Sequence, residues 1–137
     1  IDVDLWGVIH GIHAFVPRIL ASREPGWVVN TASMAAVTAN PGIGPYTASK
    51  HAVLGISDGL RGELAAVGAP VGVSVVMPGM IKTGMNPFGT ATAEQVAANV
   101  LDAIRRDRHY VFTDDHHIPA VEERLSAIMA SRADVVS

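Results

Sequence analysis

Cysteine is absent from the 137 residues, which excludes disulfides and thiolate chemistry. A reducing, cytoplasmic compartment is the expected setting. No cluster of lysine and arginine stands anywhere in the chain, and the formal net charge is -3. Nucleic acid is therefore not an expected partner. No apolar run is long enough to cross a bilayer, and no signal peptide is visible, so a membrane is not expected either. Charged residues make up only 17% of the chain against 49% hydrophobic ones, a balance that argues for a folded protein over a disordered one. There is no internal repeat and no low-complexity segment. The length suits one domain with a modest core.

What is present alternates between two periodicities. Leu5 to Ser22 carries Val8, Ile9, Ile12, Phe15, Val16, Ile19 and Leu20 at helical spacing, with Pro17 inside as a candidate kink. Glu24-Pro25-Gly26 breaks that helix. Trp27 to Asn30 reads as a short buried strand, and Ala32 to Pro45 as a loop of small residues, Gly and Pro. Tyr46 to Ala66 is helical again, ended by Gly68-Ala69-Pro70. Val71 to Met77 is nearly continuous in apolar residues, the mark of a parallel strand covered on both faces. Pro78-Gly79 stops it. Thr92 with Gln95 has the form of a capping box and opens a helix to Arg106 whose stripe is Val96, Val100, Leu101 and Ile104. Tyr110 to Thr113 is a further strand, and Pro119 to Ala130 a last helix. The order α-β-α-β-α-β-α predicts an α/β fold with a doubly wound parallel sheet. Three strands leave an open edge, so further strands are expected before Ile1.

Three segments carry candidate chemistry. Tyr46 and Lys50 are four apart at a helix start and so share a face. An ammonium beside a phenol favours the phenolate, which suits an acid/base pair working near neutrality. Alone, the same spacing fits an ordinary surface pair. Ser33 follows a strand, where sites form in doubly wound sheets, and the loop to Tyr46 can bring the two hydroxyls together. A loop serine bonded to its own backbone is the plainer alternative. Pro78-Gly79-Met80-Ile81-Lys82-Thr83 leaves the next strand, and its Gly permits close approach of backbone to a ligand; a simple strand-ending turn is the alternative.

Asn30-Thr31-Ala32-Ser33, Tyr46-Thr47-Ala48-Ser49-Lys50 and Pro78 to Thr83 together resemble, in order and spacing, the C-terminal signatures of the classical short-chain dehydrogenase/reductase family. Val3-Asp4-Leu5-Trp6-Gly7-Val8 resembles the family's helix beside the active site. The resemblance extends to about Thr83 and is looser beyond. It implies a Rossmann-like fold, of which residues 1–137 form the C-terminal catalytic part of one NAD(P)-binding domain. It implies NAD or NADP as cofactor and a small alcohol or carbonyl compound as substrate. Tyr46 is implied as proton donor and acceptor, and Lys50 as its partner and a ligand of the nicotinamide ribose. Ser33 is implied to orient the substrate oxygen. Pro78, Gly79, Ile81 and Thr83 would border the nicotinamide, with Thr31 and Ala32 lining the same pocket. Homodimers or homotetramers built on the two long helices are expected.

The chain departs from the family pattern at Asp4, where Asn is usual. Asp4 is a candidate proton-relay residue through its main-chain carbonyl; a solvated aspartate at a helix start is the alternative. The family's glycine-rich phosphate loop is expected upstream of Ile1, and residues 1–137 alone are expected to bind cofactor poorly and not to turn over. Two rivals stand beside the enzyme reading. One is a non-catalytic nucleotide-binding relative serving as sensor or scaffold. The other is a nucleotide-sugar isomerase, disfavoured by the short stretch after Tyr46.

Other polar clusters are assigned no site. Asp114-Asp115-His116-His117 reads as a solvated turn that caps a helix, not as a metal centre. His10 and His13 read as packing residues, and His51 is expected to point away from Lys50. Met77, Met80 and Met85 are candidates for an apolar substrate wall, with simple gap filling in the core as the alternative. Arg105, Arg106 and Arg108 read as a cluster at a helix end, stabilised by the dipole.

Overall fold

The computed structural model describes residues 1–84 and 86–134. A wide helical turn, Asp2–Trp6, leads into α1 (Gly7–Ser22). Then come β1 (Gly26–Thr31), α2 (Gly44–Ala66), β2 (Val71–Met77), α3 (Ala93–Arg105), β3 (Tyr110–Phe112) and α4 (Ile118–Ala130). The alternation expected from the sequence is the one observed. α1 runs on through Pro17 and ends where Arg23 turns left-handed at φ 58°. α2 begins two residues before Tyr46 because Pro45 stands in its first turn, where a missing N–H costs nothing. Within the expected loop, Met34–Ala36 forms a short tight helical turn. The capping box of α3 is complete, with Thr92 and Gln95 bonding each other's backbone.

The three strands lie in the order β1-β2-β3, all parallel. Val71, Val73, Val75 and Met77 face α1 and α2, whereas Val76 faces α3 together with Val111. β2 is thus covered on both faces, as its apolar run requires. Val73 and Val75 are fully buried, each contributing roughly 1.5–3 kcal/mol as an upper estimate. Because α2 and α3 cover opposite faces of strands in sequential order, the two crossovers have opposite hands. One of them departs from the right-handed rule, and the long β2–α3 connection gives it room.

The amino ends of the strands are buttressed by polar side chains. The Trp27 indole N–H donates to Ser74 Oγ at 2.9 Å, and Ser74 donates to the Arg108 carbonyl at 2.7 Å. Arg61 reaches the Val73 carbonyl at 3.1 Å and Asp107 at 3.0 Å. Met77 is 1% exposed and belongs to the core, not to a substrate wall. Its place on the inward face of β2 decides that. Met85 lies outside the described residues.

Candidate active site

The carboxyl ends of β1 and β2 are tied together just past the sheet. Ala32 N–H donates to the Val76 carbonyl at 2.8 Å, and Met34 N–H to the Pro78 carbonyl at 3.0 Å. Ser33 lies between these ties in extended conformation. Its Oγ accepts from Ala35 N–H at 3.1 Å and so caps the Met34–Ala36 turn. The local backbone bond and the site position are therefore compatible. A hydroxyl that accepts one bond keeps its hydrogen to donate.

Tyr46 sits in the first turn of α2 with its side chain 39% exposed. Lys50, one turn later, is buried, and its Nζ stands 5.6 Å from the Tyr46 ring centroid. The same Nζ donates to the Thr31 carbonyl at 3.3 Å and lies 3.5 Å from Asp4 Oδ1. The turn before α1, the end of β1 and the start of α2 meet at this ammonium. A buried ammonium requires such partners, since desolvation without them is costly. Asp4 and Lys50 are brought together by their carboxylate and ammonium groups.

Ser33, Asn40, Tyr46, Pro78, Met80 and His117 wall a cleft of about 230 Å³. A larger apolar groove of about 410 Å³ runs between α1 and β1 past Thr31. It holds neither Tyr46 nor Ser33; the smaller cleft holds both. Thr31 opens on that groove and serves Lys50 through its carbonyl, while Ala32 is buried in the core. Both stand behind the cleft wall rather than in it.

The segment after β2 is shaped by two glycines. Gly79 N–H donates to Thr113 Oγ1 at 3.1 Å, and a Cβ at Gly79 would run into the Asp114 carboxylate. Ile81 bridges Ala91 in parallel fashion, with Lys82 N–H donating to the Ala91 carbonyl at 2.7 Å. In such a bridge the ladder bonds belong to Met80 and Lys82, so Ile81's own N–H and C=O face away from it. A Cβ at Gly89 would strike the backbone of Ile81 and Lys82. Thr83 is exposed, and its hydroxyl accepts from Asn86 N–H at 3.2 Å.

Sequence reasoning assigned no part to Asn40, Gly89, Thr113, Asp114 or His117. Gly89 carried no signal apart from being a glycine in a loop. The other clusters fall where they do nothing chemical. His10 stacks on Trp6 with ring centroids 5.8 Å apart, and His13 is exposed. His51 Nδ1 lies 2.9 Å from the Thr47 carbonyl on its own helix. Arg106 and Arg108 both pair with Asp102, so a carboxylate holds them in addition to the helix end.

Against known proteins, the family model described as short chain dehydrogenase matches residues 1–101. The 1-deoxy-11-beta-hydroxypentalenate dehydrogenase of Streptomyces avermitilis is 42% identical over 123 residues, 82% of this chain and 45% of its own. A short chain dehydrogenase/reductase from Burkholderia phymatum, solved in complex with NAD, superimposes with a TM-score of 0.87 at 28% identity. That match covers 94% of this chain and 57% of that one. A short chain dehydrogenase from Burkholderia cenocepacia, solved in complex with NADP, gives 0.76 at 27% identity over 97% of this chain and 54% of its own. The chain thus spans about half the length of the relatives it matches.

Proposed function

This chain belongs to the short-chain dehydrogenase family, and from that premise we propose that the polypeptide carrying it interconverts an alcohol and a carbonyl compound with NAD or NADP. The observation that carries the proposal is the meeting at Lys50. One buried ammonium faces the Tyr46 ring, the Thr31 carbonyl and the Asp4 carboxylate, beside a cleft that Ser33 also lines.

In alcohol oxidation the substrate hydroxyl lies between Ser33 Oγ and the deprotonated Tyr46 oxygen. Ser33 donates its remaining hydrogen to the substrate oxygen, and the Tyr46 phenolate takes the substrate's proton. Lys50 stabilises the phenolate's negative charge, which is lost as the proton arrives and develops again in reduction. Asp4 and Thr31 hold the ammonium in place. In carbonyl reduction the same proton returns from Tyr46.

The residues after β2 suit the nicotinamide amide. Ile81's main-chain groups are turned away from their ladder, and Gly79, beside Pro78, is pinned through its N–H to Thr113. Thr83 adds a hydroxyl one step further on. When bound, the nicotinamide supplies or accepts the hydride, and the protein supplies placement and the proton path.

Turnover tests the reading. The native gene product, given NAD or NADP and a panel of secondary alcohols, should reduce the cofactor. A cofactor that binds but never changes redox state across the panel would contradict it and favour a sensor or scaffold. The contact of Asp4 with Lys50 supports the proton-handling site over that rival.

Self-association through α1 and α2 belongs to the same proposal. Gly55, Gly59 and Gly62 recur along one side of α2, and a Cβ at any of them would meet nothing within 4 Å. Trp6, just before α1, and Phe15 on it are exposed at 47% and 59%. Flat glycine surface beside exposed aromatics suits close helix packing in a symmetric dimer or tetramer.

A further inference from the structure

We infer that His117, held by Asp114, reads the substrate in the Tyr46 cleft, and that the substrate carries a second, uncharged oxygen near its reacting carbon. This rests on the oxidoreductase reading above. His117 shares the cleft wall with Ser33, Tyr46 and Met80. Its Nδ1 is buried without a hydrogen bond, 3.7 Å from Asp114 Oδ1. We assign the substrate contact to the other ring nitrogen, Nε2.

Asp114 is itself fixed. Its carboxylate accepts from His116 N–H at 3.1 Å and from the Thr113 hydroxyl at 3.3 Å, and it packs over Gly79. The His116 ring meets the His117 ring edge to face at 5.0 Å. A histidine backed by a positioned carboxylate is oriented for one hydrogen bond through its far nitrogen. The Gly79 contact links that orientation to the segment assigned to the nicotinamide.

Charge selects the substituent. Among the described residues, His117 is the basic group on the cleft wall, and it stands beside the Asp114 carboxylate. A substrate carboxylate there would lie close to Asp114. A hydroxyl or carbonyl oxygen can bond Nε2 without that repulsion. Size limits the distance between the two oxygens. His117 and Tyr46 line the same cleft of about 230 Å³. The second oxygen therefore lies within a few bonds of the first.

The test compares three cyclohexanols with the native gene product and its cofactor. They carry at the neighbouring carbon a hydroxyl, a methyl or a carboxylate. The wild type should favour the diol over the methyl compound by about tenfold in kcat/KM, with the carboxylate worst. In His117→Phe the diol-to-methyl ratio should fall to near one, and in Asp114→Asn it should fall part of the way, through KM. An unchanged ratio in His117→Phe, or a preference for the carboxylate, would overturn the inference. Carbethoxylation of His117, read by peptide mass, needs no turnover. The diol should protect His117 and the methyl compound should not, and equal protection would also overturn it. Failure of the wild type to oxidise any of the three, with protection intact, would sink the oxidoreductase reading and leave the binding assignment standing.

Discussion

The Asp4 carboxylate lies 3.5 Å from the Lys50 ammonium, so the residue that departs from the family pattern touches the residue that serves Tyr46. Asp4 is 42% exposed at its side chain while Lys50 is buried, and an Asn oxygen in its place can still accept from the ammonium. Asp4→Asn should therefore cost under about 1 kcal/mol of stability by denaturant unfolding. Its kcat should stay within about tenfold of wild type, because the main-chain carbonyl at position 4 survives the change. A loss as deep as that of a Tyr46 variant would mean that the carboxylate itself moves the proton.

Gly89 offers a sharper test of the cofactor segment. With Ala there, the new Cβ would press on the Ile81 and Lys82 backbone, and the Ile81–Ala91 bridge would have to open. Gly89→Ala should weaken nicotinamide binding by tenfold or more, since about 1–3 kcal/mol is typical of overpacking. Titration of the reduced cofactor's fluorescence measures this. Unchanged affinity would remove the segment from the cofactor site.

Much of this arrangement was legible in the residues. Val71 to Met77 could only be a doubly covered strand, and Thr92 with Gln95 marked the start of α3. The Tyr46–Lys50 spacing and the place of Ser33 after a strand each fitted a plainer reading alone, and the resemblance to the family signatures singled them out. Asp114 and His117 were not legible. In a run of four polar residues, sequence gives no sign of which side chain folds inward, and here the turn before α4 turns His117 onto a cleft whose other wall lies about seventy positions earlier. Met77 fitted either a pocket wall or a core gap, and only its strand face decided for the core.

Tyr110 gives a pH signature far from the cleft. Burial raises its phenol above the usual value, helped by a hydrogen bond and the charge of Asp58 and opposed by Arg61. The fold therefore favours the neutral phenol. The stabilisation is fully present below the unfolded value near 10 and is lost as pH rises through the higher folded value. Carbon NMR of labelled tyrosine, assigned with Tyr110→Phe, should show a late alkaline midpoint, and Asp58→Asn should move it down. A midpoint indifferent to Asp58 would refute the assignment.

Assembly is tested at Gly59. Light scattering after size exclusion should find the native gene product as a dimer or tetramer, and Gly59→Arg should shift it toward monomer. A monomeric wild type would contradict the proposed role of α1 and α2.

Tyr46→Phe tests the central claim most directly. It removes one oxygen at the mouth of the cleft and leaves the Lys50 contacts to Thr31 and Asp4 in place. Turnover and cofactor affinity should be measured on the same preparation. Turnover is predicted to fall by at least about a hundredfold with cofactor affinity within a few-fold of wild type. Retained turnover would contradict the account, because the proton would then have another carrier.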